Sequence, residues 1–376
     1  MSTAPRRVVL AGNSSWNIVN FRGGLIHALK AAGYEPMVIA PVDPAAEQRM
    51  ADMGVERIVI GMERSGLNPF AELRLMLTYR RLLKNLRPIA YLGFTIKPNI
   101  YGGIAARLTG VPLIANISGL GTVFLKRGWL QALVSRLYRF AFKRAVVTFF
   151  QNPDDLAVFV DRGLVNQAQA RLLPGSGVDL ERFQPALPMP GPDTFLFVGR
   201  LLGDKGVREF VEAARIVQSE VPEARFQLLG PIDEGNRSAV TKREVDHWVA
   251  EGTVDYLGAA EDVRPYIGRA TAVVLPSYRE GLPRSLLEAA AMARPLIASD
   301  VPGCRELVEP GVNGFLCEVR NASSLAKALK MIMKTSGEAR SRMGEASRQM
   351  VERHYSQTVV ISAYLDVLGK LGAPRS

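Results

Sequence analysis

Two glutamates and two cations in the second half of the chain have the types and spacing to bind a polyhydroxylated, anionic ligand. Glu280 lies in Pro276-Ser-Tyr-Arg-Glu280-Gly-Leu-Pro-Arg-Ser-Leu-Leu-Glu288, directly after the apolar run Ala272–Leu275. The stretch beyond it reads as a helix with Pro283 near its first position, where a missing N–H costs nothing. Glycine at 281 permits close backbone approach, and a helix start offers N–H groups to an anion or a hydroxyl. Glu288 then falls about a turn into the helix. Two carboxylates separated by a helix entrance suit gripping hydroxyls at two places on one ligand. They suit a proton-sharing pair less well, which needs close contact. Taken bare, they read equally as a loop charge and a solvated helix residue.

The cations are Arg200 and Lys205, in Phe197-Val-Gly199-Arg200-Leu-Leu-Gly203-Asp-Lys205-Gly206. A strand ends at Gly199, and both charges fall in a glycine-rich turn before a helix over Arg208–Val217. Neither half of the chain opens with Gly-x-Gly-x-x-Gly, which disfavours a dinucleotide-dependent dehydrogenase. There is no Asp-x-Asp pair for a metal, and three histidines with two cysteines are too few for an ordinary zinc cluster.

The elements that must position these residues alternate between short β-like runs and amphipathic helices, the pattern of α/β sheets with parallel strands. First-half strands are expected at Val8–Ala11, Met37–Ala40, Arg57–Ile60, Ile89–Gly93, Leu113–Asn116, Val146–Phe150 and Arg171–Leu173, with helices such as Gly24–Ala32 and Pro69–Leu86. A run with four prolines and a glycine, Pro185 to Pro192, can continue neither element and reads as a linker. Strands resume at Thr194–Val198, Arg225–Leu229, Val254–Leu257, Ala272–Leu275, Leu296–Ala298 and Gly314–Leu316. The expected organisation is a first domain over 1–185, a linker over 186–192 and a second domain over 193–355. Two doubly wound domains of this kind would face each other across a cleft at the carboxyl ends of their strands, the usual ligand position in such sheets.

Length and composition agree: 376 residues, 48% hydrophobic and 22% charged, fit two globular domains and exclude a disordered or collagen-like chain. Cys304 and Cys317 cannot form a disulfide framework, which points to a reducing compartment. The apolar run after Arg6 and Arg7 is too short for a signal peptide. Leu108–Leu125 carries no formal charge, but Gly110, Pro112, Asn116, Ser118, Gly119 and Gly121 argue for a buried strand and a glycine loop rather than a membrane span. The net charge of +11 is lopsided. Residues 191–376 balance, whereas between Arg64 and Pro153 there are 14 basic residues and one acid, Glu72. A surface that needs only solubility mixes its signs, so this half is expected to face something anionic.

Glu280 and Glu288 in this context, followed by Ser299-Asp-Val-Pro-Gly303 and Gly311-Val-Asn-Gly-Phe315, closely resemble the retaining family 4 glycosyltransferases, whose two Rossmann-like domains form the GT-B fold. The resemblance runs from about Arg6 to Tyr364. Thr95-Ile-Lys-Pro-Asn-Ile-Tyr101 and Asn116-Ile-Ser-Gly-Leu-Gly-Thr122 look like the bacterial branch that builds lipid-linked surface polysaccharides and glycans. The resemblance implies that Glu288 holds the ribose of a nucleotide. It places Glu280 with the backbone of Gly281, Leu282 and Pro283 on the donor sugar, Arg200 and Lys205 on the diphosphate, and Gly199 and Leu257 along the donor site. It further implies same-face attack, in which a leaving phosphate oxygen takes the acceptor's proton while the protein supplies positioning and charge, with no cofactor and no metal.

On the first domain, Asn13 and Ser14 follow the first strand and are expected to line the cleft. The glycine pair that relatives often carry in this turn is replaced by Trp16 and Asn17, while Gly23-Gly24 falls inside the following helix. The histidine that many relatives carry near Asn116 is absent, its nearest positions being Ser118 and Gly119. Lys97 and Asn99 are candidates for contact with donor or acceptor. His27 reads as a helix residue, and His247 and His354 as surface residues.

The basic half also shows a membrane pattern. Over Gly128–Arg144, Leu130, Leu133, Val134, Leu137 and Ala141 form one stripe and Arg136, Arg139 and Lys143 another, with Phe140 beside them and Trp129 at the entrance. Pro69–Arg87 adds Arg74, Arg80, Arg81 and Lys84. On an anionic bilayer each such basic residue contributes about 1 kcal/mol; the competing reading is a solvated face over a core stripe. The expectation is a cytoplasmic enzyme, peripheral on the inner face of the bacterial membrane. It would move a sugar such as an N-acetylhexosamine from a UDP-sugar to an undecaprenyl-diphosphate-linked acceptor, and a helix near 356–371 would return to the first domain. A sugar-nucleotide 2-epimerase on the same architecture is the alternative enzyme, and would need acid–base groups not placed here. A nucleic-acid-binding protein is disfavoured, since no binding motif accompanies the charge.

Overall fold

The computed structural model describes residues 5–63, 68–120, 128–186, 191–236 and 238–372. Residues 187–190 of the expected linker, and Gly121 and Thr122 of the glycine loop, lie outside them. The chain forms two compact units, one of residues 1–176 with 358–376 and one of 177–357.

The first unit is a seven-stranded parallel sheet in the order β3-β2-β1-β4-β5-β6-β7. Its strands are β1 (Arg7–Ala11), β2 (Glu35–Ala40), β3 (Glu56–Val59), β4 (Ala90–Phe94), β5 (Leu113–Ile117), β6 (Ala145–Phe150) and β7 (Ala170–Leu172). Chain order reverses between β1 and β4, which pair from Val8↔Ala90 to Ala11↔Gly93. A strand covered on both faces must be apolar throughout, and β1 shows the division with period two. Val8 and Leu10 join one buried cluster, Val9 and Ala11 the other.

Helices α3 (Pro69–Leu86), α4 (Gly103–Thr109) and α5 (Trp129–Phe142) supply buried side chains to the second of these clusters. The other face is covered by α1 (Ser15–Ala31) and by the last helix, α13 (Gln357–Gly372). Val360, Tyr364, Val367 and Leu368 give α13 a helical-period apolar stripe in that cluster, and the Tyr364 hydroxyl accepts from Asn116 Nδ2 at 3.0 Å.

The second unit repeats the plan with six parallel strands in the order β10-β9-β8-β11-β12-β13. These are β8 (Thr194–Val198), β9 (Arg225–Leu229), β10 (Asp255–Tyr256), β11 (Ala272–Leu275), β12 (Leu296–Ser299) and β13 (Gly314–Cys317). Its reversal falls between β8 and β11. Both units therefore have the doubly wound, Rossmann-like topology, which places ligands at the carboxyl ends of the strands beside the reversal.

The division falls at Ser176 rather than at 185. Val178 and Phe183 are buried in the second unit's core, and the Arg348 guanidinium donates to the carbonyls of Phe183 and Ala291 at 2.7 Å. Residues 177–185 are thus held by the second unit before the proline run begins.

Candidate active site

Two loops meet at the reversal point of the second sheet. The first leaves β8 through Gly199 and closes in a 3₁₀ turn, Gly203–Lys205, before α7 (Val207–Gln218). The second leaves β11 at Pro276 and enters α10 (Arg284–Ala291), for which Pro283 is the N-cap. Gly206 lets them touch. It has φ +74°, and a Cβ there would lie 2.1 Å from the Pro276 carbonyl oxygen. Tyr278 then stitches the loops, its N–H donating to Asp204 O at 2.9 Å and its hydroxyl to Glu209 on α7 at 2.7 Å.

This seam brings Lys205 against Glu280, the ammonium donating to Oε1 of the carboxylate, which also accepts from Ser277 Oγ at 2.6 Å. The Glu280 N–H donates to Pro302 O at 3.1 Å. Below it Gly303, at φ +86°, packs against Glu280 and Gly281 so closely that a Cβ would lie 2.6 Å from both carbonyl oxygens. Cys304 is buried beside this turn, and burial pushes its thiol well above the ordinary range. Glu280 is thus held from both sides, with its carboxylate anchored and only partly exposed.

Glu288 sits in α10, where its Oε1 accepts from Arg284 Nε at 2.7 Å. Burial raises its carboxyl above the ordinary range, and the Arg284 charge offsets only part of that. Leu282 and Pro283 are buried at the entrance to the helix. Arg200 points elsewhere: Nη1 donates to Asp233 Oδ2 at 2.8 Å, with about half of the side chain exposed (54%). Gly199, at φ +157°, is closely approached by Gly230, whose Cβ would lie 1.9 Å from the Gly199 oxygen. Leu257, just beyond β10, donates its N–H to Leu228 O and packs on the core. Lys205, Glu280 and Ser277 are therefore brought into contact, while Arg200 has a separate carboxylate partner.

Sequence reasoning missed Asp233, Ser277, Tyr278 and Arg284. Asp233 follows β9, the neighbour of β8, and Arg284 stands at i,i+4 from Glu288, so both left a readable signal. Tyr278 left none, because its partners depend on how two distant loops pack.

In the first unit the helix begins earlier than the sequence suggests. Ser14 caps α1 by accepting from Asn17 N at 3.1 Å, so Trp16 and Asn17 belong to the first helical turn, and Asn13 is half-buried before it. Asn99 and Asn116 are each 1% exposed. Asn99 Nδ2 donates to Asn116 O at 2.8 Å, and Asn116 Nδ2 is spent on Tyr364, so both have an internal bracing role. Lys97 forms an ion pair with Glu72 of α3, both side chains mostly buried. Ser118 is exposed and Gly119, at φ +130°, continues the loop after β5.

The basic helices also sort themselves. Arg80, Arg81, Lys84, Arg136 and Lys143 are exposed, as are the apolar Phe70 (83%) and Trp129 (78%). Leu133 lies on the solvent side of α5 rather than in a buried stripe, whose members are Tyr138, Ala141 and Phe142. Arg139 is exposed too, but its guanidinium is engaged, donating to the carbonyls of Gly163 at 2.9 Å and Arg162 at 2.8 Å. Those carbonyls follow the end of α6 (Pro153–Asp161), where a cation is favourable. Among the described residues no helix is long and apolar enough to cross a membrane.

Two Rossmann-like units, with Lys205, Glu280 and Ser277 in contact at the reversal point of the second, have the architecture of the GT-B glycosyltransferases. The family models agree: "Glycosyl transferase 4-like domain" matches residues 19–175 and "Glycosyl transferases group 1" matches 179–350. The chain belongs to this glycosyltransferase family. It is 27% identical to the N,N'-diacetylbacillosaminyl-diphospho-undecaprenol alpha-1,3-N-acetylgalactosaminyltransferase of Campylobacter jejuni, over 97% of this chain and 99% of that one. It is also 27% identical to the Escherichia coli UDP-Gal:alpha-D-GlcNAc-diphosphoundecaprenol alpha-1,3-galactosyltransferase, over 69% of this chain and 70% of that one. Among solved structures, Anabaena Alr3699/HepE in complex with UDP and glucose superposes with a TM-score of 0.80 at 16% identity, covering 97% of this chain and all (100%) of that one. At this identity the likeness establishes the fold.

Proposed function

We propose that the protein transfers a sugar, with retention of configuration and without a metal, from a UDP-sugar to an undecaprenyl-diphosphate-linked saccharide at the inner surface of a bacterial membrane. The observation that carries this reading is the Lys205–Glu280 contact at the reversal point of the second sheet, with Glu288 one helix entrance away. The relatives from Campylobacter jejuni and Escherichia coli, named for diphospho-undecaprenol acceptors, support the acceptor class.

In this reading Glu288 accepts hydrogen bonds from the ribose. Burial of its carboxyl favours a ligand that supplies donors to it. Glu280, oriented by Lys205 and Ser277, accepts from a hydroxyl of the donor sugar. Lys205 and Arg200 meet the diphosphate as negative charge develops on it, Arg200 exchanging Asp233 for phosphate oxygens. The acceptor hydroxyl attacks from the face the diphosphate leaves, and a departing phosphate oxygen takes its proton.

Exposed cations and apolar side chains on α3 and α5 are the proposed contact with anionic lipid. The buried side chain of Glu72 leaves the described part of the stretch between Arg64 and Pro153 without an exposed acid.

The test is thermal unfolding with UDP, GDP, ADP, dTDP and CMP, each in EDTA. At 100 times its Kd a ligand stabilises by about 2.7 kcal/mol. A shift with UDP alone, lost in Glu288→Ala, is expected. A shift with a different base overturns the donor, and no shift with any nucleotide overturns the site.

A further inference from the structure

Glu72 is the one acid between Arg64 and Pro153, and the fold buries it at 8% exposure. Its carboxylate pairs with the ammonium of Lys97, in the helical turn that follows β4. Glu72 stands on α3 between Phe70 and Leu73, both exposed apolar residues. The turn of α3 that offers apolar side chains outward is therefore the turn fastened to Lys97.

The helical turn that carries Lys97 is flanked by uncommon backbone conformations. Thr95, a β-branched residue, has φ +70°. A π-turn over Pro98–Gly102 follows, packed so closely that a Cβ on Gly102 would lie 1.8 Å from the Tyr91 hydroxyl oxygen. Asn99, through its bond to Asn116 O, fixes the turn to β5. Thr95 Oγ1 and Asn99 Oδ1 are buried with no hydrogen-bond partner among the described residues, and the Tyr101 hydroxyl faces the Glu72 carboxylate. Strained backbone, π-turns and unsatisfied buried polar groups collect at ligand sites, because packing alone gives no reason to keep them. The turn also leaves the carboxyl end of β4 beside β1, the reversal point of the first sheet. An ammonium has three donors, and the bond to Glu72 Oε1 engages one.

We propose that Lys97 contacts the phosphate groups of the lipid-diphosphate-linked acceptor, and that Glu72 is its positioning residue. Glu72 fixes the ammonium at the carboxyl end of β4 and ties it to the outward-facing turn of α3. The proposal rests on the acceptor class put forward above. A purely architectural ion pair would share the burial and the contact, so the test must separate the two roles.

The probes are farnesyl diphosphate and farnesol, read as thermal shifts with excess UDP present, together with steady-state constants for the lipid acceptor. Farnesyl diphosphate should stabilise the protein and farnesol should not. Lys97→Met should abolish that shift and raise the acceptor KM about tenfold or more while leaving the donor KM unchanged, and Lys97→Arg should stay within about threefold of the parent. Glu72→Gln, which keeps a hydrogen-bond acceptor for Lys97, should raise the acceptor KM less than Lys97→Met does. The exchange Glu72→Lys with Lys97→Glu restores an ion pair but reverses the charge offered by the turn. The acceptor KM should then stay as high as in Lys97→Met. A parental KM in the exchanged protein overturns the proposal, as does an unchanged KM in Lys97→Met. If the exchanged protein does not fold, the Met and Arg variants decide alone. Failure of the wild type to use any UDP-sugar would count against the proposed function instead, while the farnesyl diphosphate shift would still decide the role of Lys97.

Discussion

Lys205 and Glu280 stand 75 residues apart in the chain, yet the ammonium of one rests on the carboxylate of the other, with Ser277 Oγ 2.6 Å from the same oxygen. The cation proposed for a diphosphate and the carboxylate proposed for a sugar thus hold each other in place across the two loops of the proposed donor site.

Replacing either residue should remove more than one contact. Lys205→Ala is expected to lower kcat by roughly 10²–10³-fold, the cost of losing one group that stabilises developing charge. Glu280→Gln keeps an acceptor for Lys205 and should fall less than Glu280→Ala. Steady-state kinetics of the three variants check this ordering, and equal losses for Gln and Ala would deny Glu280 an orienting role.

Gly206 tests the seam between the loops. Gly206→Ala forces a Cβ toward the Pro276 carbonyl at φ +74°, so it should cost about 2–4 kcal/mol in denaturant unfolding. Because Lys205 precedes it directly, activity should fall as well. Gly33→Ala, at φ +76° with no atom near the added Cβ, carries the backbone strain without the clash. It should lose less stability and keep the parent's kcat.

The buried carboxyl of Glu288 has a pH signature. Its folded pKa is raised by burial, so the ionised form is penalised in the folded state. That penalty is full above the raised folded pKa, eases as pH falls through it, and is gone below the ordinary value of 4.5. Glu288→Gln should therefore unfold at a higher temperature than the parent at neutral pH, and the gain should vanish below that value. The same variant should lose the UDP shift, since an amide is a poorer acceptor for ribose hydroxyls.

The exposed side of α3 gives a membrane prediction. Replacing Arg80, Arg81 and Lys84 by Ser should weaken binding to anionic vesicles by about 3 kcal/mol, roughly 100-fold, with little change on neutral vesicles. Arg139→Ser should instead lower stability, because its guanidinium donates to the carbonyls of Gly163 and Arg162. Vesicle sedimentation and thermal unfolding separate the two outcomes.

The sheets were legible in the sequence because a strand covered on both faces must be an apolar run, as Val8–Ala11 and Ala272–Leu275 are. The placement of Lys205 and Glu280 after strands and of Glu288 in a helix was legible from the same pattern, whereas their proposed roles came from the family resemblance. What stayed hidden depends on long-range packing. Nothing local shows that Arg200 faces Asp233, that Lys97 is matched to Glu72, or that Asn116 is taken up by Tyr364, 248 residues away. The boundary near Ser176 was missed for a similar reason, since the proline run marks where secondary structure stops while Arg348 decides which core holds Phe183.

The most direct test is a transfer assay in EDTA, with labelled UDP-GalNAc, UDP-GlcNAc, UDP-Gal and UDP-Glc as donors. The acceptors are GlcNAc-diphospho-undecaprenol and N,N'-diacetylbacillosaminyl-diphospho-undecaprenol in anionic vesicles. The account predicts that label from one donor enters the lipid fraction, that the new linkage keeps the donor's α configuration, and that Lys205→Ala slows the transfer by roughly 10²–10³-fold. Transfer that requires a divalent metal, an inverted linkage, or consumption of the nucleotide sugar without an acceptor would contradict it.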